Sequence, residues 1–362
     1  MKILFGYLSY EYRGGTKFQL DVARNFKDCE VGFVTSNAHV KYENEVLKIG
    51  KIHVIPPTKQ YKQRLEALKN LAKEYDILYL NKATLNSFEQ KLVKSAGFKK
   101  IVYHSHSTAK DVKNPLIRAG YYALHYIART RIDKVADKMY ACSNEAGLWL
   151  FGEKNRDKFT VVNNGIDTDV FRFNPELREK KRKEMGLLGF TIFHAGAFSA
   201  VKNQSYLISA FAQFHKKYPN SQLLLAGEGE LVNLAKDTAR ELGVSESVQF
   251  LGQRSDVNEI MQAVDILVLP SLKEGLPFVA VEAQATGLFC IITDTASKQT
   301  KVTNLLEFYD VSQSSDKLCE VIEKNMNYTR YDTNEEVVKS GFDLKLCAKK
   351  LEDELFALLE EK

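Results

Sequence analysis

Short runs of β-branched and aliphatic residues alternate with longer stretches of helical periodicity along most of this chain. In the first half, strands are predicted over residues 2–9, 30–36, 52–55, 76–81, 100–105, 138–143 and 159–162. Helical spacing fills several of the gaps, at 60–75, 85–96 and 115–134. The second half repeats the rhythm with strands at 190–195, 222–226, 248–251, 266–269 and 288–293. Unbroken apolar runs such as LLLA and ILVL suit parallel strands covered on both faces. Strand-helix alternation of this kind predicts βαβ units, hence an α/β fold of doubly wound parallel sheets.

The chain has 362 residues, about two domains' worth at roughly 150 residues each. A turn cluster, Asn163-Asn164-Gly165, and a charge run from Arg178 to Glu184 mark the join, and the run reads as a plain solvated helix. The predicted organisation is an N-terminal domain over 1–168, a C-terminal domain over 169–342, and a closing helix over 343–362 that braces back to the first domain. Ligands in such sheets bind at the carboxyl ends of the strands, so the loops there carry the search for chemistry.

Composition excludes more than it selects. Apolar residues are 44% and charged residues 27%, an ordinary globular mix that rules out a disordered or fibrous chain. A net charge of +5 is too mild to argue for nucleic acid, and it suits anionic small molecules or an anionic membrane surface. Five scattered cysteines without a C-x-x-C read as free thiols in a reducing cytoplasm. The N-terminus reads as a strand rather than a signal peptide, and no apolar run reaches the roughly 18 residues of a spanning helix.

Several motifs fail on inspection. Gly227-Glu228-Gly229 follows a strand, but Val232 stands where a dinucleotide fingerprint needs glycine, which removes a dehydrogenase reading. Gly50-Lys51 is followed by Ile52, so there is no P-loop. Asp167-Thr168-Asp169 has the form of a metal-binding D-x-D but sits in the interdomain turn, where turn and cap chemistry explains it. His104 and His106 share a strand face without a third ligand at fixed spacing, so they read as a polar pair and no metal is expected.

The informative stretch runs from Ser271 to Ala283, directly after the ILVL strand. Pro277 suits the first turn of a helix. Glu274 then lies in the strand-to-helix loop and Glu282 on the helix. The free N–H groups of Gly275, Leu276 and Phe278 would face a ligand with the positive end of the helix dipole behind them. An acidic pair beside an anion site suits a ligand that also offers donors, as sugar hydroxyls do. Lys202, past the loop that opens at Gly196, can reach a phosphate as a point charge. Gly14-Gly15-Thr16, after the first strand, lets backbone approach a ligand closely.

Taken together these blocks resemble the GT-B-fold glycosyltransferases of family 4. Glu274 and Glu282 match the family's E-x7-E. AGAFSAVKNQSYLISAF, LLLAGEGEL, VQFLGQRSDV, DILVLPS and VVNNGIDTDVF match further blocks. YHSHS, ACSNEAGLWLFG and EGLPFVAVEAQATG look most like capsular and exopolysaccharide transferases of bacteria. The resemblance implies two Rossmann-like domains facing across a cleft and a retaining, metal-independent transfer from a nucleotide sugar, UDP-linked by family expectation. The acceptor would be a saccharide or a lipid-linked saccharide, at the inner face of the plasma membrane, where the basic, tyrosine-rich segment 115–138 would rest. No cofactor is implied.

By the same resemblance Glu274, Lys202 and His106 are the catalytic residues. Glu274 would contact the transferred sugar, Lys202 the departing diphosphate, and His106 the donor sugar. Gly14, Gly15, Gly196, Gly252, Arg254, Gly275, Leu276, Phe278 and Glu282 would bind substrate, Glu282 through the ribose hydroxyls and the segment 252–254 through the base. One departure stands out: Ala197 occupies the position where the family carries Arg. Arg13, Lys17 and Arg254 are the neighbouring cations that would replace it. Otherwise the chain would be a non-catalytic GT-B subunit that stabilises or directs a partner transferase.

Overall fold

The computed structural model describes residues 1–10, 14–106 and 115–361. It divides into two compact units, one formed by Met1–Gly165 with Leu344–Lys362, the other by Ile166–Asp343. The first holds a seven-stranded sheet of β1 (Lys2–Gly6), β2 (Glu30–Thr35), β3 (Lys51–Val54), β4 (Ile77–Lys82), β5 (Lys100–Ser105), β6 (Lys138–Ala141) and β7 (Phe159–Val161), in the order β3-β2-β1-β4-β5-β6-β7. The second holds six strands, β8 (Thr191–Ala195), β9 (Gln222–Ala226), β10 (Val248–Gly252), β11 (Ile266–Leu269), β12 (Phe289–Thr293) and β13 (Leu306–Tyr309), ordered β10-β9-β8-β11-β12-β13. Every described strand pair is parallel.

The apolar runs explain the central strands. Ile3, Leu4 and Phe5 of β1 and all four residues of β11 are sealed from solvent, because helices cover both faces of each sheet. The edge strand β13 has no such run. Glu307 and Phe308 at its middle are only partly buried, and Glu307 instead accepts from Lys324 and Asn325, so its sequence carries no strand signal. Two predicted strands end sooner than their apolar patterns suggest. The first stops at Gly6, and β6 stops at Ala141 because Ser143 caps the next helix, Asn144–Phe151, by accepting from the Ala146 N–H.

The charge run at 178–184 is not a plain solvated helix. Arg178 donates to the carbonyls of Gln262, Ala263 and Val264, and both Arg178 and Arg182 pair with Asp265. Arg330 reaches the carbonyls of Met261, Gln262 and Val264. These carbonyls end the helix Val257–Ala263, where they lack intrahelical partners and carry the negative end of its dipole. The arginines therefore close a helix C-terminus.

The final helix, Leu344–Glu360, belongs to the first unit. Leu344, Ala348, Leu351, Leu355 and Leu358 enter its core beside Phe18, Leu20 and Val22. Buried Glu352 accepts from the N–H groups of Lys27 and Asp28.

Candidate functional site

In each sheet the chain reverses its winding direction beside the first strand of the unit, between β1 and β4 and between β8 and β11. Loops leaving the carboxyl ends of such neighbouring strands splay apart and leave a crevice for ligand. Gly14, Gly15, Gly196, Lys202, Glu274, Gly275 and Leu276 follow β1, β8 or β11 there, whereas His106 follows β5, Gly252 and Arg254 lie at the end of β10, and Phe278 and Glu282 lie on the helix Phe278–Ala285.

In the second unit, the loop after β8 carries Lys202 and the loop after β11 carries Glu274. Their side chains meet: Lys202 Nζ lies 2.5 Å from Glu274 Oε1, which also accepts from Ser271 Oγ at 2.7 Å. Both side chains are largely shielded. The two loops are tied by the Leu272 N–H donating to the Val201 carbonyl, and by the Asn203 side chain donating to the Pro270 carbonyl. Asn203 holds a left-handed backbone, φ 57°, at the entry to the helix Gln204–Lys217. The arrangement presents a cation and a carboxylate in one shielded place, the pairing that a phosphate and a sugar hydroxyl need.

Beneath the Lys202 loop lies a histidine without a motif to mark it. His194, at the end of β8, is fully buried. Nδ1 lies 2.9 Å from the Val268 carbonyl, and Nε2 is 3.3 Å from Gln204 Nε2. A carbonyl only accepts, so Nδ1 carries the proton and Nε2 receives the Gln204 amide. The same amide donates to the Ala197 carbonyl at 2.9 Å, which fixes the loop after β8. Burial, with Lys202 nearby, pushes the His194 pKa down to about 4 despite the Val268 bond.

The rejected glycine motif also has a place here. A Cβ at Gly227 would come 2.1 Å from the Gly196 carbonyl oxygen, and one at Gly229 2.3 Å from that of Phe198. Gly227 also has φ 135° and donates its N–H to the carbonyl of Gly252, which itself has φ 65°. The glycines let β9's loop press against the Gly196 loop and join it to Gly252.

The helix Phe278–Ala285 begins after Pro277, which is its cap residue rather than its first turn. Leu276 packs its side chain against a core cluster with Val281 and Val302, which leaves its backbone for other work. Glu282 is partly buried on that helix. Arg254 is bidentate with Asp256, at 2.8 and 2.6 Å, and Lys17 pairs with Asp21, so both of these replacements for the family arginine have carboxylate partners. Arg13 lies outside the described residues. Asp167 forms the expected turn, accepting from the N–H groups of Asp169 and Val170.

In the first unit, Gly14 and Gly15 open the helix Gly14–Asn25 after β1, and His106 follows β5. The His104 and His106 rings lie with centroids 3.9 Å apart and their planes tilted by 34°, and Phe18 packs on both. His104 Nδ1 is 2.6 Å from the Tyr79 hydroxyl. Burial pushes the His104 pKa well down and that of His106 to about 3, partly offset by Asn164, so both rings are neutral. Asn81, at the end of β4, has no sequence signal of its own. It touches both His106 Nε2 (3.1 Å) and the Gly15 carbonyl (3.1 Å).

Two Rossmann-like units of this size and strand order define the GT-B class of fold. Solved structures bear this out: Anabaena Alr3699/HepE in complex with UDP aligns over 99% of this chain and 100% of its own at 22% identity, TM-score 0.78. WaaG, a glycosyltransferase involved in lipopolysaccharide biosynthesis, covers 98% and 99% at 20% identity, TM-score 0.70. Residues 176–338, which make up most of the second unit, match the family Glycosyl transferases group 1, so the chain carries a domain of that group. Among curated relatives, the putative glycosyltransferase EpsF of Bacillus subtilis is 29% identical over 313 residues, 81% of this chain and 79% of the relative. The Escherichia coli UDP-Gal:alpha-D-GlcNAc-diphosphoundecaprenol alpha-1,3-galactosyltransferase is 27% identical over 310 residues, 82% and 79% of the two chains.

Proposed function

We propose that this protein transfers a sugar from a UDP-linked donor, with retention of anomeric configuration and without a metal, to a saccharide carried on a lipid diphosphate in surface-polysaccharide assembly. The observation that carries the reading is the shielded contact of Lys202 with Glu274 at the switch point of the second sheet. On donor binding Lys202 turns to the diphosphate and stabilises the charge that develops as the glycosidic bond breaks. Glu274, held by Ser271, takes sugar hydroxyls. Glu282 binds the ribose. The N–H groups of Gly275, Leu276 and Phe278 hold phosphate, Gly196 lines the same loop with its own N–H donated to the Ala226 carbonyl, and Gly252 with Arg254 borders the base. On the first unit His106 and the Gly14-Gly15 backbone bind the donor sugar. The leaving phosphate accepts the acceptor's proton on the face it departs from, so no nucleophilic carboxylate is required.

The acceptor reading rests on the first unit. A cavity of about 320 Å³ is lined by Lys82, Thr84, Asn86, Glu89, Tyr121 and Leu124. The helix that supplies the last two, Pro115–Arg129, exposes Leu116 (84%), Ile117, Leu124 and Ile127 beside Arg118 and Arg131. An apolar face rimmed by arginines suits an anionic bilayer from which a lipid-linked acceptor is drawn. Lys110 and Lys113, counted in the same basic segment, lie outside the described residues.

Ala197 favours a second reading, a non-catalytic subunit that directs a partner transferase. A transfer assay decides between them, using UDP-glucose, UDP-galactose and UDP-N-acetylglucosamine with a lipid-diphosphate saccharide. Turnover to an α-linked product is expected from one donor. A β-linked product contradicts retention, and absence of both turnover and UDP binding would establish the second reading. Ala197 is solvent-exposed, so Ala197→Arg is accommodated and raises turnover if the missing donor limits it.

A further inference from the structure

The contacts of Asn81 decide which nitrogen of His106 carries its proton. The Gly15 carbonyl can only accept, so the atom of Asn81 that lies 3.1 Å from it is the amide nitrogen. The amide oxygen then faces His106 Nε2, and an amide oxygen can only accept. His106 Nε2 must therefore hold the hydrogen, and Nδ1 bears the lone pair. Nδ1 is sealed from solvent and makes no close hydrogen bond to a described residue, the Asn164 side chain being the further polar group beside the ring. An unpaired buried acceptor is an unfavourable arrangement that a hydroxyl donor relieves.

We propose that Asn81 is a positioning residue that locks His106 in the Nε2-protonated form and couples the imidazole to the Gly14-Gly15 turn, so that His106 serves the donor sugar as a hydrogen-bond acceptor at Nδ1. This rests on the reading of His106 as a donor-binding residue. The geometry is built into the sheet: Asn81 and His104 are register partners on β4 and β5, and His106 follows two residues later. Phe18, from the helix that Gly15 opens, packs on the His106 ring and limits its rotation. The low pKa of the ring agrees with a neutral acceptor. His106 is thereby excluded as a general acid, and its work is selection among sugars by whether a hydroxyl is present and placed to donate.

Nitrogen NMR of the histidine rings in the full-length protein tests the assignment without reference to activity. The wild type shows His106 in the single Nε2-protonated form, and Asn81→Leu moves its shifts toward tautomer averaging. In the same variant the donor KM rises about tenfold with kcat moved less, as loss of one hydrogen bond's worth of orientation implies. A melting temperature near the wild type's shows that the variant is folded; if Asn81→Leu prevents folding, Asn81→Ser serves instead. A wild-type ring protonated at Nδ1, or shifts unchanged on substitution, overturns the proposal. His106→Ala separates the two layers: an unchanged donor KM there refutes the donor-binding reading, while the ring shifts still decide the role of Asn81.

Discussion

At the scale of single residues, the histidines carry the clearest electrostatic signature. His53, His104, His106, His125 and His194 all have pKa values below the ordinary 6.5, with burial the largest cause in each. An unfolded chain binds protons at these groups first as the pH falls. Stability is therefore full above about 6.5 and declines on acidification, until each folded-state pKa is reached, about 4 for His194 and about 3 for His106. The slope approaches about 1.4 kcal/mol per pH unit for each strongly depressed group. Melting temperature should fall steadily from about pH 6.5 to about 4.5; a flat profile across that window contradicts neutral burial.

The same scale shows why part of the site escaped the sequence. Lys202 and Glu274, which the structure brings together, stood out as candidates because their blocks fall in order and their residue types suit a sugar phosphate, and Glu282 is proposed from the same block. Asn81, His194 and Gln204 did not stand out, because each acts through carbonyls and ring nitrogens brought near by strand register. His194 and Gln204 are ten residues apart and Asn81 and His106 twenty-five, with no motif spacing to join them.

Among elements, the alternation of apolar runs revealed twelve strands and left out β13, whose polar middle faces Lys324 and Asn325. The basic helix Pro175–Glu184 was misread because its charge pattern looks the same whether it faces water or a neighbouring helix end. The Gly227-Glu228-Gly229 turn gives this scale its prediction. Gly227→Ala forces a Cβ to 2.1 Å from the Gly196 carbonyl at a φ unfavourable to alanine, so the loops after β8 and β9 must separate. Transfer should drop by at least about tenfold, with stability lowered by about 1–3 kcal/mol. Wild-type activity in a folded Gly227→Ala protein would show that the contact does not position the phosphate loop.

For the whole molecule, the two-unit composition expected from chain length is present, and the final helix returns to the first unit through Glu352 and a leucine face. No described helix is long and apolar enough to cross a membrane. The proposed association with a bilayer uses the exposed apolar face of Pro115–Arg129. Co-sedimentation with vesicles containing anionic lipid should exceed that with neutral vesicles and weaken with salt, and Leu116→Asp with Ile127→Asp should abolish it. Equal binding to both vesicle types would contradict a basic docking face.

The central claim is that Lys202 and Glu274 form the donor centre of a sugar-nucleotide transferase. Its most direct test is kcat/KM for the UDP-sugar in wild type, Lys202→Ala and Glu274→Ala, alongside their melting temperatures. The account predicts losses of about 10²–10³-fold in each variant, with UDP affinity weakened in Lys202→Ala and nearly kept in Glu274→Ala. Turnover within a fewfold of wild type in either folded variant would contradict it.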